Sequence, residues 1–272
     1  MPLMKRNKGF RLTFFAITFV IGIWSILASN PNIKFNEVFI RTVGSSSTPS
    51  ELWSINIKDC TTEKINNTGT SGIGSMAKRS KLILYAINYS NQLVTIDAKT
   101  GSATVKATVN INDSIRALTY KNDMLYAISK DSADQLAHNK LYSIDINSGQ
   151  ATLIKELDTR SVQALVSTEG PHTYAYGWEM RSGFYSRMSL VRIDLNTGAV
   201  TDIDPNDNGY PSPSPYRPSI QTMAFSSDGT LYGIGNGNIH TINTTTGEPT
   251  RICTGMTQGD GIGSEFVLIS DN

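Results

Sequence analysis

The chain has 272 residues, and its charged fraction of 17% lies below the usual quarter or so, with Ser, Thr, Asn and Gly in the deficit, which argues against coiled coils and long solvent-facing helices. Net charge is +1, but Lys5, Arg6, Lys8 and Arg11 precede the first acid, Glu37; with those four set aside the balance is −3, too acidic for the phosphate-facing surface of a nucleic-acid binder. The length permits one large domain or two small ones.

In chain order, the four cations are followed by LTFFAITFVIGIWSILA, Leu12 to Ala28, the basic-then-apolar layout of a secretory signal. About 17 apolar residues are also the shortest run that spans a bilayer. Residues 1–28 are therefore read as a signal peptide or signal anchor and 29–36 as a linker. The remainder is expected to be exported, periplasmic or extracellular, with membrane contact only through the N-terminal segment.

From residue 37 the chain repeats. Five hairpins align: ELWSINIKDCTTEKI from Glu51, QLVTIDAKTGSATVK from Gln92, KLYSIDINSGQATLI from Lys140, SLVRIDLNTGAVTDI from Ser189 and NIHTINTTTGEPTRI from Asn238. In each, Asn56, Asp97, Asp145, Asp194 or Asn243 opens a turn by bonding its own backbone. Gly101, Gly149, Gly198 and Gly247 then supply a left-handed residue, with Cys60 in that slot of the first. Upstream of the later four run two further strands around a polar turn: IGSMAKRSKLILYAI from Ile73, IRALTYKNDMLYAI from Ile115, VQALVSTEGPHTYAY from Val162 and IQTMAFSSDGTLYGI from Ile220.

A four-stranded unit recurring every forty-odd residues is a propeller blade. The first blade lacks its innermost strand, and GIGSEFVLIS near the end of the sequence matches GIGSMA of the second. One all-β, five-bladed propeller over residues 37–272 is expected, with a C-terminal strand joining the N-terminal blade. A sixth blade would have to fit residues 204–218, which are too few and too rich in proline.

The IDxxTG turn and the strands around it resemble the repeats of secreted bacterial propellers of the quinoprotein-like and WD40/YVTN-like superfamilies, over nearly all of residues 37–270. The resemblance implies a ring-shaped platform that hosts unrelated functions. Quinoprotein repeats carry a tryptophan shortly after the turn glycine; this chain has Val105, Ile154 and Ile203 there, and no pyrroloquinoline cofactor is expected.

The second position of each inner strand, Gly74, Arg116, Gln163, Gln221 and Gly263, forms a channel ring. Glu265 is the one acid on these strands, and it cannot supply the acid and base that glycoside hydrolysis needs. His138, His172 and His240 read as ordinary loop or strand residues, so no catalytic residue is assigned. Asp204, Asn206 and Asn208 open a DxNxNG string, yet the twelfth position is Pro215, so the loop offers at most a weak Ca²⁺ site. Cys60 and Cys253 are expected to be free, some 20 Å apart at roughly 3.3 Å per residue.

First-to-second and third-to-fourth turns share one face of such a ring, here the short-turn face. Longer connections from Val43, Ser129, Gly177 and Asp204 collect on the other. That long-loop face carries Trp178, Glu179, Arg181, Phe184, Tyr185, Arg187, Tyr210, Tyr216 and Arg217, a mix enriched in recognition surfaces. The expected function is a scaffold that binds a protein or carbohydrate there. The alternatives are a hydrolase or lyase with a channel-mouth site, and a structural envelope component.

Overall fold

Short apolar runs such as ILYAI and MLYAI recur in the repeats, so the segments have both faces to bury and close strand against strand. The computed structural model describes residues 38–43, 46–80, 82–131, 133–134, 137–159, 161–181, 187–203, 218–235, 237–254 and 266–269. Within them the first blade holds β1 (Val38–Val43), β2 (Pro49–Asn56) and β3 (Thr61–Ser71). The second holds β4 (Ile73–Lys78), β5 (Ile83–Asn88), β6 (Gln92–Asp97) and β7 (Ala103–Thr108). The third holds β8 (Ser114–Lys121), β9 (Met124–Lys130), β10 (Lys140–Ile144) and β11 (Ala151–Glu156). The fourth holds β12 (Val162–Ser167), β13 (Tyr174–Arg181), β14 (Arg187–Asp194) and β15 (Val200–Asp202). The fifth holds β16 (Thr222–Phe225), β17 (Leu231–Gly235), β18 (Asn238–Ile242) and β19 (Pro249–Cys253), and β20 (Phe266–Ile269) comes last.

Every sheet has four antiparallel strands, and β20 pairs with β1 to complete the first blade, Val38 opposite Ile269 and Arg41 opposite Phe266. The inner strands β20, β4, β8, β12 and β16 touch in cyclic succession, so the structure is a closed five-bladed propeller. The signal or anchor and the linker assigned to residues 1–36 lie outside the described residues.

The core is divided among the blade junctions. Leu52 and Met76 pack between the first and second blades, Tyr85 and Leu125 between the second and third, Ile128 and Val191 between the third and fourth. Trp178 and Met223 pack between the fourth and fifth, and Ile55 and Ile239 between the fifth and first. Since each blade buries its faces only against its neighbours, closing the ring completes the core.

The turn residues form as expected. The Oδ1 of Asp97 accepts from the N–H groups of Lys99 at 2.9 Å and Thr100 at 2.8 Å, and Asp145, Asp194 and Asn243 repeat the pattern. The N–H of Ser148 holds the Asp145 carboxyl below its usual value. The left-handed slot is filled by Gly101, Gly149, Gly198 and Gly247, and in the first blade by Cys60 at φ 61°.

Those turns also determine how blades meet. Three of the turn glycines lie against the outer strand of the preceding blade: Gly101 against Asn66, Gly149 against Ala107 and Thr108, Gly198 against Lys155. A Cβ at Gly149 would stand 3.0 Å from the Ala107 Cβ and closer still to the Thr108 carbonyl, so both the φ of 75° and the contact require glycine. Asn66, Ala107 and Lys155 each follow the extra residue of a bulge in the outer strand, opposite Leu52, Leu93 and Leu141.

The corresponding residue in the fifth blade is Cys253, opposite Ile239, and the turn it meets is that of the first blade. Cys60 and Cys253 are bonded as a disulfide with Cα atoms 5.7 Å apart, which corrects the expectation of two free thiols some 20 Å apart. The distance estimate followed the strand within its own blade; blade stacking instead sets each turn over the far part of the preceding outer strand, and at the closing seam that contact is covalent.

Candidate functional site

Alternate residues of the inner strands face the ring axis. Counting along each repeat, the second positions Gly74, Arg116 and Gln163 are the extra residues of bulges, unpaired with the next strand, and together with exposed Gln221 they stand toward the long-loop end. Gly263 of the proposed channel ring lies outside the described residues. The ring of Tyr89 packs across Gly72 and Gly74. The Ser219 Oγ donates to Gln163 Oε1 at 3.4 Å, joining those two blades.

Fourth positions Met76, Leu118, Leu165 and Met223 are buried and form an apolar layer part-way along the axis. Sixth positions Lys78, Tyr120, Ser167 and Phe225 stand above it, where the inner strands end at the short-turn face. Together with the turns they line a cavity of about 310 Å³, to which four blades contribute.

The turns that shape this mouth are held firmly. Asn122 and Asp123, with φ 49° and 60°, make the two-residue hairpin between Lys121 and Met124, a primed turn that asparagine and aspartate tolerate. Tyr120 Oη donates to Asp123 Oδ1 at 2.7 Å. Burial pushes the Tyr120 phenol up, and the aspartate adds to this. Its ring lies 5.5 Å from that of Tyr85, over which the Arg79 guanidinium stands at 5.6 Å. Lys121, only 7% exposed, donates Nζ to the carbonyl oxygens of Thr168 and Gly170, the latter at 2.7 Å. Ser167 N–H donates to Thr119 Oγ1 at 2.9 Å and its Oγ to the Tyr120 carbonyl at 3.0 Å. The β12–β13 loop is thus pinned to the third blade.

The mouth is cationic. Among the described residues, Lys78, Arg79 and Lys121 line it against one carboxylate, Glu169, whose side chain is 96% exposed and stands 4.0 Å from Lys78. A pair so exposed contributes little. On the same face a neighbouring recess shares Thr168, Glu169 and Phe225 and runs outward to Tyr176 and Ser226.

The other sequence-assigned residues that are described lie on the β13–β14 hairpin. Trp178 is a correction: it is fully buried among Ala164, Leu190 and Ile220 because β13 runs to Arg181, two strand turns beyond the point where the loop was placed, so its side chain is core. Glu179 is buried as well. Arg181 and Arg187 are opposed at the end of the β13–β14 hairpin. Phe184, Tyr185, Tyr210, Tyr216, Arg217 and Glu265, with the calcium-loop residues Asp204, Asn206 and Asn208, lie outside the described residues. Among those described, no three of His, Cys, Asp or Glu gather to hold a metal.

The histidines are separate. His138 Nδ1 contacts the Leu157 carbonyl at 3.0 Å, and His172 stacks on Tyr174 at 5.1 Å. His240 is buried, and that burial, helped by Arg251, pushes its pKa down. On the long-loop face Lys140 pairs with Asp113 at 2.9 Å, which raises the lysine.

The mouth residues were missed because the sequence comparison of inner strands stopped at the second position. The same alignment, IGSMAK, IRALTY, VQALVS and IQTMAF, places Lys78, Tyr120, Ser167 and Phe225 together at the sixth.

No protein-family model matches the chain, and no curated protein matches it. Among solved structures 967 chains match, so the fold is too widely used to select a function. One is a chain of the nidogen/laminin complex, with a TM-score of 0.54 and 8% identity over 81% of this chain and 79% of that one. At such identity the likeness is of fold alone.

Proposed function

We propose that the protein is an exported binding scaffold that engages a protein partner at the mouth of its ring, on the short-turn face. The observation that carries the reading is the cavity to which four blades bring Arg79, Tyr120, Lys121, Ser167 and Phe225 over a buried apolar floor. Rigid strand ends hold these groups, and concave apolar sites with a few convergent polar groups are where ligands bind. The cavity is at the small end of ligand sites, which run from about 300 Å³ upward, and so suits one or two projecting side chains better than an extended glycan. The Cys60–Cys253 disulfide supports an oxidising compartment, in line with the basic-then-apolar leader.

A panel of purified surface proteins and glycans, scored by thermal shift, tests the reading. A ligand at 100 times its Kd adds about 2.7 kcal/mol of stability. The shift is expected in the wild type and absent in Arg79→Trp/Glu169→Trp, which crowds the mouth from two exposed positions. A shift that survives there but is lost in Tyr210→Ala/Tyr216→Ala would move the site to the long-loop face.

A further inference from the structure

We infer that the group seated in the mouth is the carboxylate of a glutamate or aspartate side chain on an acidic segment of a protein partner, a deepening that rests on the ring-mouth reading above. The charge comes first. Three cations from two adjacent blades, Lys78, Arg79 and Lys121, line one cavity of about 310 Å³, while the single lining carboxylate among the described residues, Glu169, is 96% exposed. The nearby Asp123 already accepts the Tyr120 hydroxyl.

The state of Lys121 adds a second observation. An ammonium has three N–H donors; its hydrogen-bond acceptors are the Thr168 and Gly170 carbonyls, and its salt-bridge partners among the described residues are none. A cation on a residue only 7% exposed, met among the described residues by neutral dipoles alone, raises the local potential, because burying charge without an opposite charge is costly. An anion entering the cavity relieves that. Thr168, whose Oγ1 is buried with no partner, lines the same space.

The floor decides what kind of anion. Met76, Leu118, Leu165 and Met223 form it, so the site matches a charge carried on a hydrocarbon stem, the stem against the apolar layer and the head at the cationic rim. A bare phosphate or sulfate would leave that floor uncovered. Arg79, already oriented over Tyr85, presents a planar fork suited to a carboxylate.

The test uses the full-length protein and two end-capped peptides, Gly-Glu-Gly-Glu-Gly and its glutamine counterpart, titrated by calorimetry with hydrogen exchange on each complex, and inorganic phosphate and sulfate as further probes. The glutamate peptide is expected to bind, to protect residues 76–79 and 118–122, and to weaken with salt. The glutamine peptide should bind about tenfold more weakly or worse. Lys78→Ala and Arg79→Ala should each cost about tenfold in affinity with an unchanged Tm, with Arg79→Lys in between; Lys121 is left intact because it pins a loop. Equal affinity of the two peptides, with protection at the mouth, overturns the anionic class and leaves the ring-mouth reading standing. Phosphate or sulfate binding at the mouth more tightly than the glutamate peptide overturns the carboxylate. Glutamate binding unaffected by either alanine, with protection on the long-loop face, overturns both readings together.

Discussion

Removing the disulfide should unlock the ring at its closing seam, and the structure gives the size of the effect. Cys60 and Cys253 are separated by 193 residues, so the bond closes nearly the whole propeller into one loop. On the chain-entropy relation such a loop is worth about 5 kcal/mol, against the 2–4 more commonly found. For a domain of this size each kcal/mol moves Tm by about 2–4 °C, so Cys60→Ser/Cys253→Ser should lower Tm by roughly 5–20 °C. A second variant separates the bond from the turn. Cys60 holds φ 61°, a conformation that costs an ordinary residue about 1 kcal/mol or more, and the other turns place glycine there. Cys60→Gly/Cys253→Ala should therefore be less destabilised than the serine pair, by about 1 kcal/mol. Thermal and urea unfolding followed by circular dichroism give both differences, and alkylation with mass spectrometry should find no free thiol in the native protein until it is reduced. Native alkylation of both cysteines without reductant would refute the packing of blade five on blade one, and a serine pair that melts within 2 °C of the wild type would refute the seam as a stabilising element.

Trp178→Ala empties the largest side chain of the junction between the fourth and fifth blades and should cost about 3–5 kcal/mol, read by urea unfolding, with peptide affinity at the mouth unchanged in the folded fraction. Deleting residues 262–272 removes β20 and with it the inner strand of the first blade; the product should be insoluble or melt far below the full chain, and equal melting would contradict ring closure. His240 has a folded pKa below its ordinary 6.5, so the unfolded chain binds the proton more readily. Its contribution to stability is full above about pH 6.5 and is lost as pH falls toward the lowered folded value. Urea titrations at pH 7.5 and 5.0 should show a smaller loss in His240→Phe than in the wild type, and equal losses would place the acid sensitivity elsewhere.

Blade number, strand order and ring closure were readable from the repeat because the acid-to-glycine turns are local chemistry: Asp97 and Gly101 settle their hairpin whatever packs around it. What the turn glycine touches is not local. Gly149 meets Thr108, and its counterpart Cys60 meets Cys253, only because blades stack with each turn over the preceding outer strand, and that stagger leaves no mark in a single repeat. Trp178 shows the opposite failure. Aromatic and charged neighbours made GWEMR look like a recognition loop, yet β13 carries it through to Arg181, and because neighbouring blades cover both faces of this strand, Ala175 to Glu179 are all buried, the tryptophan among them. The mouth was hidden for a third reason: Lys78, Tyr120, Ser167 and Phe225 are chemically unlike one another, so their shared register, the sixth residue of each inner strand, emerges only when position is compared instead of residue type.

Hydrogen–deuterium exchange on the complex with the strongest partner from the thermal-shift panel tests the central claim most directly, since it reports both faces of the ring in one experiment. Binding at the ring mouth predicts slowed exchange in residues 76–80, 118–123, 165–171 and 223–226, with the connections at 129–139, 182–186 and 204–217 unchanged. Slowed exchange in those connections, with the mouth as fast as in the free protein, would contradict it.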